Sequence, residues 1–236
     1  MLRSVKQLCG HKLGASDGEL GHVKDFYFDD QHWAVRYLVA DTGSWLTGRL
    51  VLISPHALGH LPEAGKVLPV NLTRKQIEDS PPIDTHKPVS RQYEEEYYRY
   101  YGWPFYWEGG AIWGLGSFPV LTEKSRPFAG EPGVVTGAPP PEPREVHLRS
   151  AQAVMGYQIQ AGDEIAGHVT DFLVDDQSWV LGQLVVNTGN RFTGKKVLLP
   201  PRHVTRISWD ESKLFVNQTQ QAVVEAPVYD PAASAP

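Results

Sequence analysis

Cysteine is almost missing from this sequence of 236 residues. Cys9 is the only one, so no internal disulfide can form and nothing points to an oxidising compartment. Long apolar runs are missing as well: none approaches the ~20 residues that a membrane-crossing helix requires. Strong charge of either sign is also lacking. The net charge is −5, and acids outnumber bases by only one or two in each of the stretches 1–85, 86–146 and 147–236. Without a basic segment, nucleic acid is not an expected partner. Arg3 and Lys6 stand near the start, but the ~7–15-residue apolar core of a secretory signal does not follow them. These absences together predict a cytoplasmic protein without membrane insertion, although peripheral association stays open. No glycine loop is followed by Lys-Ser/Thr, which excludes that mode of phosphate binding. His56 and His60 have a ligand-like spacing but no third partner, and the corresponding positions later in the chain are Arg202 and Arg206. No metal or other cofactor is expected.

What the chain does contain, it contains twice. Gly21-His22-Val23-Lys24-Asp25-Phe26-Tyr27-Phe28-Asp29-Asp30-Gln31-His32-Trp33 returns 146 positions later, from Gly167 through Trp179. The same shift carries Leu38-Val39 onto Leu184-Val185, Asp41-Thr42-Gly43 onto Asn187-Thr188-Gly189, Thr47-Gly48 onto Thr193-Gly194 and Pro55 onto Pro201. Roughly half of residues 21–55 are identical without a gap, and a shift this long marks a duplicated domain rather than a solenoid repeat. The boundaries are 1–85 for the first copy, 86–146 for a linker, 147–230 for the second copy and 231–236 for a disordered tail. Disorder is expected from Ala226 onward.

Each copy reads as short strands separated by turns. A strand and turn are expected over Val5–Leu13, then a tight connection over Gly14–Gly21. Strands follow at Val23–Phe28, Trp33–Ala40 and Trp45–Ile53. Phe26 and Phe28 share a face that strict alternation denies to Val23, so either both faces are covered or a bulge lies near Asp25. Copy two then shows a hairpin, Thr205–Trp209 and Lys213–Val216. Thr73 and Thr219 can each cap a short helix, Arg74–Asp79 or Gln220–Glu225. The pattern predicts a small β-barrel in each half. Trp33 and Trp179, recurring at the start of one strand, are expected to anchor the core of their own halves.

The linker is different in kind. Tyr93, Tyr97, Tyr100 and Tyr101 recur at helical spacing, with Tyr98 off the stripe, and Gly102-Trp103-Pro104-Phe105-Tyr106-Trp107 follows. These rings either clad or bridge the barrels, or form an exposed surface for another protein. The candidate partner-binding residues are Tyr93, Tyr97, Tyr101, Trp103 and Trp107. Glu94, Glu95 and Glu96 oppose an anionic lipid surface and favour a protein. Pro127–Pro143 reads as flexible linker.

The Gly21-His22-Val23-x-Asp25-Phe26 stretch resembles the PRC-barrel family, as do the Trp33 strand with Leu38-Val39 and the Thr47-Gly48-x-x-Val51-Leu52-x-x-Pro55 ending. That family includes the cytoplasmic domain of the photosynthetic reaction-centre H subunit and the C-terminal domain of a ribosome-maturation factor. The resemblance covers about residues 3–84 and 149–230. It implies an all-β chain of two small, mostly antiparallel barrels used for protein docking, with no catalytic residues to carry over. The chain departs from both examples, having neither a membrane helix ahead of the first copy nor a separate N-terminal barrel.

The resulting expectation is a non-enzymatic tandem adaptor or scaffold acting through protein–protein contact, with self-association left open. An enzyme is the competing class, with a site between the barrels at His22, Asp25, His168 and Asp171. Resemblance alone suggests an accessory role in a photosynthetic complex or in ribosome assembly. The paired acids Asp29-Asp30 and Asp175-Asp176 are expected to be solvated turn formers.

Overall fold

A computed structural model of the chain describes residues 1–61, 65–83, 89–120, 148–189 and 194–231. The Pro/Gly-rich linker, Thr193 and the end of the tail lie outside the described residues. Copy one contains β1 (Leu2–Ser4), α1 (Val5–Leu8), β2 (Lys12–Ala15), β3 (Gly18–Asp29), β4 (Ala34–Asp41), β5 (Leu50–Ile53), β6 (Val67–Pro69) and α2 (Arg74–Glu78). The aromatic segment supplies α3 (Arg91–Tyr101). Copy two contains β7 (Leu148–Ser150), α4 (Ala151–Val154), β8 (Gln158–Ala161), β9 (Glu164–Asp175) and β10 (Leu181–Asn187). It continues with β11 (Lys196–Leu199), β12 (Val204–Ser208), β13 (Lys213–Val216) and α5 (Gln220–Val224).

Local chemistry accounts for most of these elements. Thr73 and Thr219 cap α2 and α5 as expected, each hydroxyl accepting an N–H of the first turn. A register shift between Val23 and Asp25 is a bulge, one of the two readings open for this strand, and it re-aims β3 so that Val23 and Phe26 are both buried. The strand expected across Val5–Leu13 is interrupted by α1, because the Ser4 hydroxyl accepts the Gln7 N–H and starts a helical turn. Trp45 lies outside β5, in a 3-10 turn, with its indole N–H donating to the Leu20 carbonyl. From Ala226 to Pro231 the backbone is tied to the second sheet rather than loose: Val228 bridges to Val197, and the Tyr229 N–H donates to Lys196.

Two sheets form, in the orders β5-β4-β3-β2-β6 and β11-β10-β9-β8-β13-β12. Their first strands are exchanged. β1 pairs with β9 of the second copy, and β7 pairs with β3 of the first, in equivalent registers: Leu2 faces Asp175, and Leu148 faces Asp29. Each sheet is therefore completed by residues from the other copy. The sheets also meet start to start, with Ala34 bridging Val180. There the Val35 N–H donates to Trp179 and the Leu181 N–H to Trp33, as a pseudo-two-fold axis requires.

Among the described residues neither sheet closes into the expected barrel by strand pairing. The outer edge of β5 goes instead to a side chain: the Ser54 N–H donates to the Tyr97 hydroxyl, which donates to the Leu52 carbonyl. Two backbone groups of that edge are thus taken up by a side chain of α3, which covers it where another strand would pair.

One apolar cluster runs through both copies. The Phe28 ring lies 5.5 Å from Phe172, and Trp179 stacks on Phe26 at 6.3 Å, both contacts crossing between copies. Trp33 stacks on Phe28 within its own copy and remains half-buried. The tryptophans therefore belong to a shared seam rather than to two separate cores. Trp179→Ala should cost about 3–5 kcal/mol. Trp33→Ala should cost less, about 1–2 kcal/mol, because part of its ring already meets water. Each should lower one common melting transition. Two calorimetric transitions, with only one moved, would contradict the shared seam.

Candidate functional site

The recurring motif residues form ties between the copies. Asp25 is buried and accepts from the Ser150 hydroxyl, from the Gln152 N–H at 3.0 Å and from its neighbour Phe26 at 2.7 Å. Asp171 repeats this with the Ser4 hydroxyl, with Lys6 at 2.9 Å and with Phe172 at 2.7 Å. Each carboxylate holds the cap and first turn of the helix arriving from the other copy. Burial pushes both carboxyls above the usual range, against the pull of these hydrogen bonds. His22 does not join Asp25; its ring nitrogen lies 4.0 Å from Asp41 and the side chain is half exposed. Gly21 and Gly167, at φ +132° and +148°, pass so close to the Asp41 and Asn187 carbonyls that a Cβ would collide with them.

The paired acids are not simply solvated. Asp30 meets Arg149 at 2.6 Å, and Asp176 meets Arg3 at 3.2 Å, a second reciprocal pair between the copies. Asp29 is buried and binds Arg36 at 3.0 Å and His32 at 2.9 Å. Arg36, itself 1% exposed, also donates to the Ile112 carbonyl, and its guanidinium lies 3.9 Å from the centre of the Tyr106 ring.

The linker's aromatic stretch clads copy one and reaches copy two. Ser90 and left-handed Gly102 delimit α3. Tyr97 and Tyr98 are fully buried, with Tyr37 wedged edge-on against both. Tyr101 stacks on Trp103 at 4.4 Å, Tyr93 donates to the Pro81 carbonyl, and Trp107 packs against Tyr98 at 5.5 Å under the Arg91 guanidinium. Glu94 is buried among Tyr37, Tyr106 and Arg91. Trp113 donates its indole N–H to Ser178 of the second copy. Of the five candidate partner-binding residues, Tyr97 and Trp103 are buried and Tyr93, Tyr101 and Trp107 are partly covered. Tyr98, off the stripe of Tyr93, Tyr97 and Tyr101, is buried all the same, because Trp103, Phe105, Tyr106 and Trp107 fold back over its other side.

His56 sits inside this cladding, its ring centroid 6.0, 5.7 and 5.2 Å from those of Tyr98, Trp103 and Trp113. Burial pushes its pKa down to about 4, opposed by the Pro119 backbone and reinforced by the Arg36 charge. An unfolded histidine titrates near 6.5. As pH falls from about 6.5 to 4, the unfolded chain therefore takes up a proton that the folded chain refuses. Stability should fall by about 3 kcal/mol over that window. His56→Phe should remove this component in unfolding midpoints measured from pH 7 to 4; the same slope in both proteins would contradict it.

The second sheet has no comparable cladding among the described residues. A groove of about 320 Å³ opens there, between β10, β11 and α5. It is lined by the apolar Leu198, Leu199, Pro200, Ala222, Ala226 and Pro227 and by the polar Gln183, Arg202, His203 and Gln218. His203 is held by Asn217 at 3.2 Å and Gln218 at 2.9 Å. Gln183 occupies the repeat position of Tyr37, a difference that gains meaning only once α3 is seen on the first sheet.

Among the described residues no group of three or more His, Cys, Asp or Glu could hold a metal ion, and no helix is long and apolar enough to cross a membrane. Comparison with protein-family models gives no match, and comparison with curated proteins gives none.

Proposed function

We propose that this chain is a non-enzymatic docking protein of PRC-barrel type, an adaptor whose two copies are interlocked so that they present one continuous surface to another protein. The supporting observation is the use of the recurring acids. Asp25, Asp171, Asp30 and Asp176 tie one copy to the other, so what duplication preserved is an interlock rather than an open acid–base pair. The groove on the second sheet gives such an adaptor a concave, largely apolar surface with a few polar groups, the form that recognition sites take.

Immobilised full-length chain should retain a protein saturably, and the interaction should be reproduced with that protein in purified form. Turnover of a small substrate that disappears in His22→Ala or His168→Ala would overturn the docking reading in favour of a site at the repeated histidines.

A further inference from the structure

The internal repeat gives the groove a counterpart in copy one. In copy one, α3 forms hydrogen bonds to five positions, on β4, at the end of β5 and on and beyond α2. Tyr37 donates to Glu94, the Leu52 carbonyl and the Ser54 N–H bind the Tyr97 hydroxyl, and the Gln76 and Pro81 carbonyls accept from Tyr100 and Tyr93. The 146-residue shift carries these positions onto Gln183, Leu198, Pro200, Ala222 and Pro227, and all five line the groove. The groove is the counterpart of the bed in which α3 lies.

We propose that it docks an amphipathic helix of a partner protein, aromatic on its buried side and acidic beside it, seated as α3 is seated on the first sheet. This deepens the docking reading and rests on it. Three features define the occupant. Gln183 and Ala222 are smaller than Tyr37 and Gln76, leaving room for bulky rings to enter. Gln183 Oε1 is buried with no hydrogen-bond partner among the described residues, so a donor brought by the occupant, as a tyrosine hydroxyl would be, satisfies it once the amide turns toward the groove. The lining contains exposed Arg202 and no acid, and Lys195 and Lys196 are exposed at the start of β11, which favours carboxylates. α3 carries the same chemistry in Glu94, Glu95 and Glu96.

A labelled peptide with the sequence of residues 89–107 is the probe, titrated by fluorescence anisotropy against the full-length chain. A second peptide with Glu94, Glu95 and Glu96 changed to lysine is the charge control. Saturable binding of the first peptide is expected. It should be weakened at least tenfold by the charge control, by Arg202→Glu and by Ala222→Glu, with the melting of both protein variants unchanged. No saturable binding, or equal binding by both variants, would overturn the inference. Light scattering that shows a dimer dissociated by Arg202→Glu would overturn it in favour of a second copy of this chain as occupant. A purified partner that binds wild type and Arg202→Glu equally would overturn the groove while leaving the docking reading standing. A chain that retains no protein at all would remove both.

Discussion

Replacing Asp25 and Asp171 together with alanine should leave the chain largely unfolded at room temperature. Each carboxylate accepts three hydrogen bonds, two of them from the segment contributed by the other copy. Hydrogen bonds to a charged group are worth about 1.5–3 kcal/mol each, and truncation strands buried donors. Allowing for water entering the gap, each single variant should lose about 3–5 kcal/mol and the pair about 6–10 kcal/mol. Folded domains have only about 5–15 kcal/mol in reserve. Ser4→Ala and Ser150→Ala, which remove one donor and a cap each, should cost about 1–2 kcal/mol apiece. A double aspartate variant that melts with the parent would mean the ties are incidental.

Tyr97→Ala should be the most damaging single change in the aromatic segment. Tyr97 is fully buried, with rings of Tyr37, Tyr101 and Trp103 5.4, 4.9 and 5.9 Å away. Deleting such a ring costs about 3–5 kcal/mol. The Leu52 carbonyl and Ser54 N–H lose their partner as well, adding about 1–3 kcal/mol for each group left unpaired. Tyr97→Phe should recover the packing but not the hydrogen bonds, and so fall between the two. Thermal melts of the three proteins measure this directly. Equal melting of Tyr97→Ala and parent would return the ring to the exposed, partner-binding role, the other of the two readings that the sequence leaves open.

Sequence carried the duplication, the bulge at Asp25 as one of two readings, the caps of α2 and α5, the copy-two hairpin and the helical spacing of Tyr93, Tyr97 and Tyr101. It did not carry the exchange of β1 and β7. The two recipient edges, Tyr27–Asp29 and Leu173–Asp175, lie in matching copies of one motif, so pairing preference alone cannot tell a strand which copy to join. Trp179 was legible as buried but not as packed on Phe26, for the same reason. The burial of Tyr98 depends on residues 103–113 returning over α3, a contact that no helical period contains. The groove was legible only in retrospect. Tyr37 against Gln183 is one substitution among many until it is known that α3 covers the first.

Cutting the linker tests the interlock most directly. A protease site inserted between Gly133 and Val134 separates the copies covalently without touching any described residue. After cleavage the two pieces should elute together on size exclusion, with light scattering giving the 26.3 kDa of the intact chain. They should part only in denaturant. Two pieces that separate in native buffer, each still folded, would contradict the exchange of β1 and β7 between the sheets.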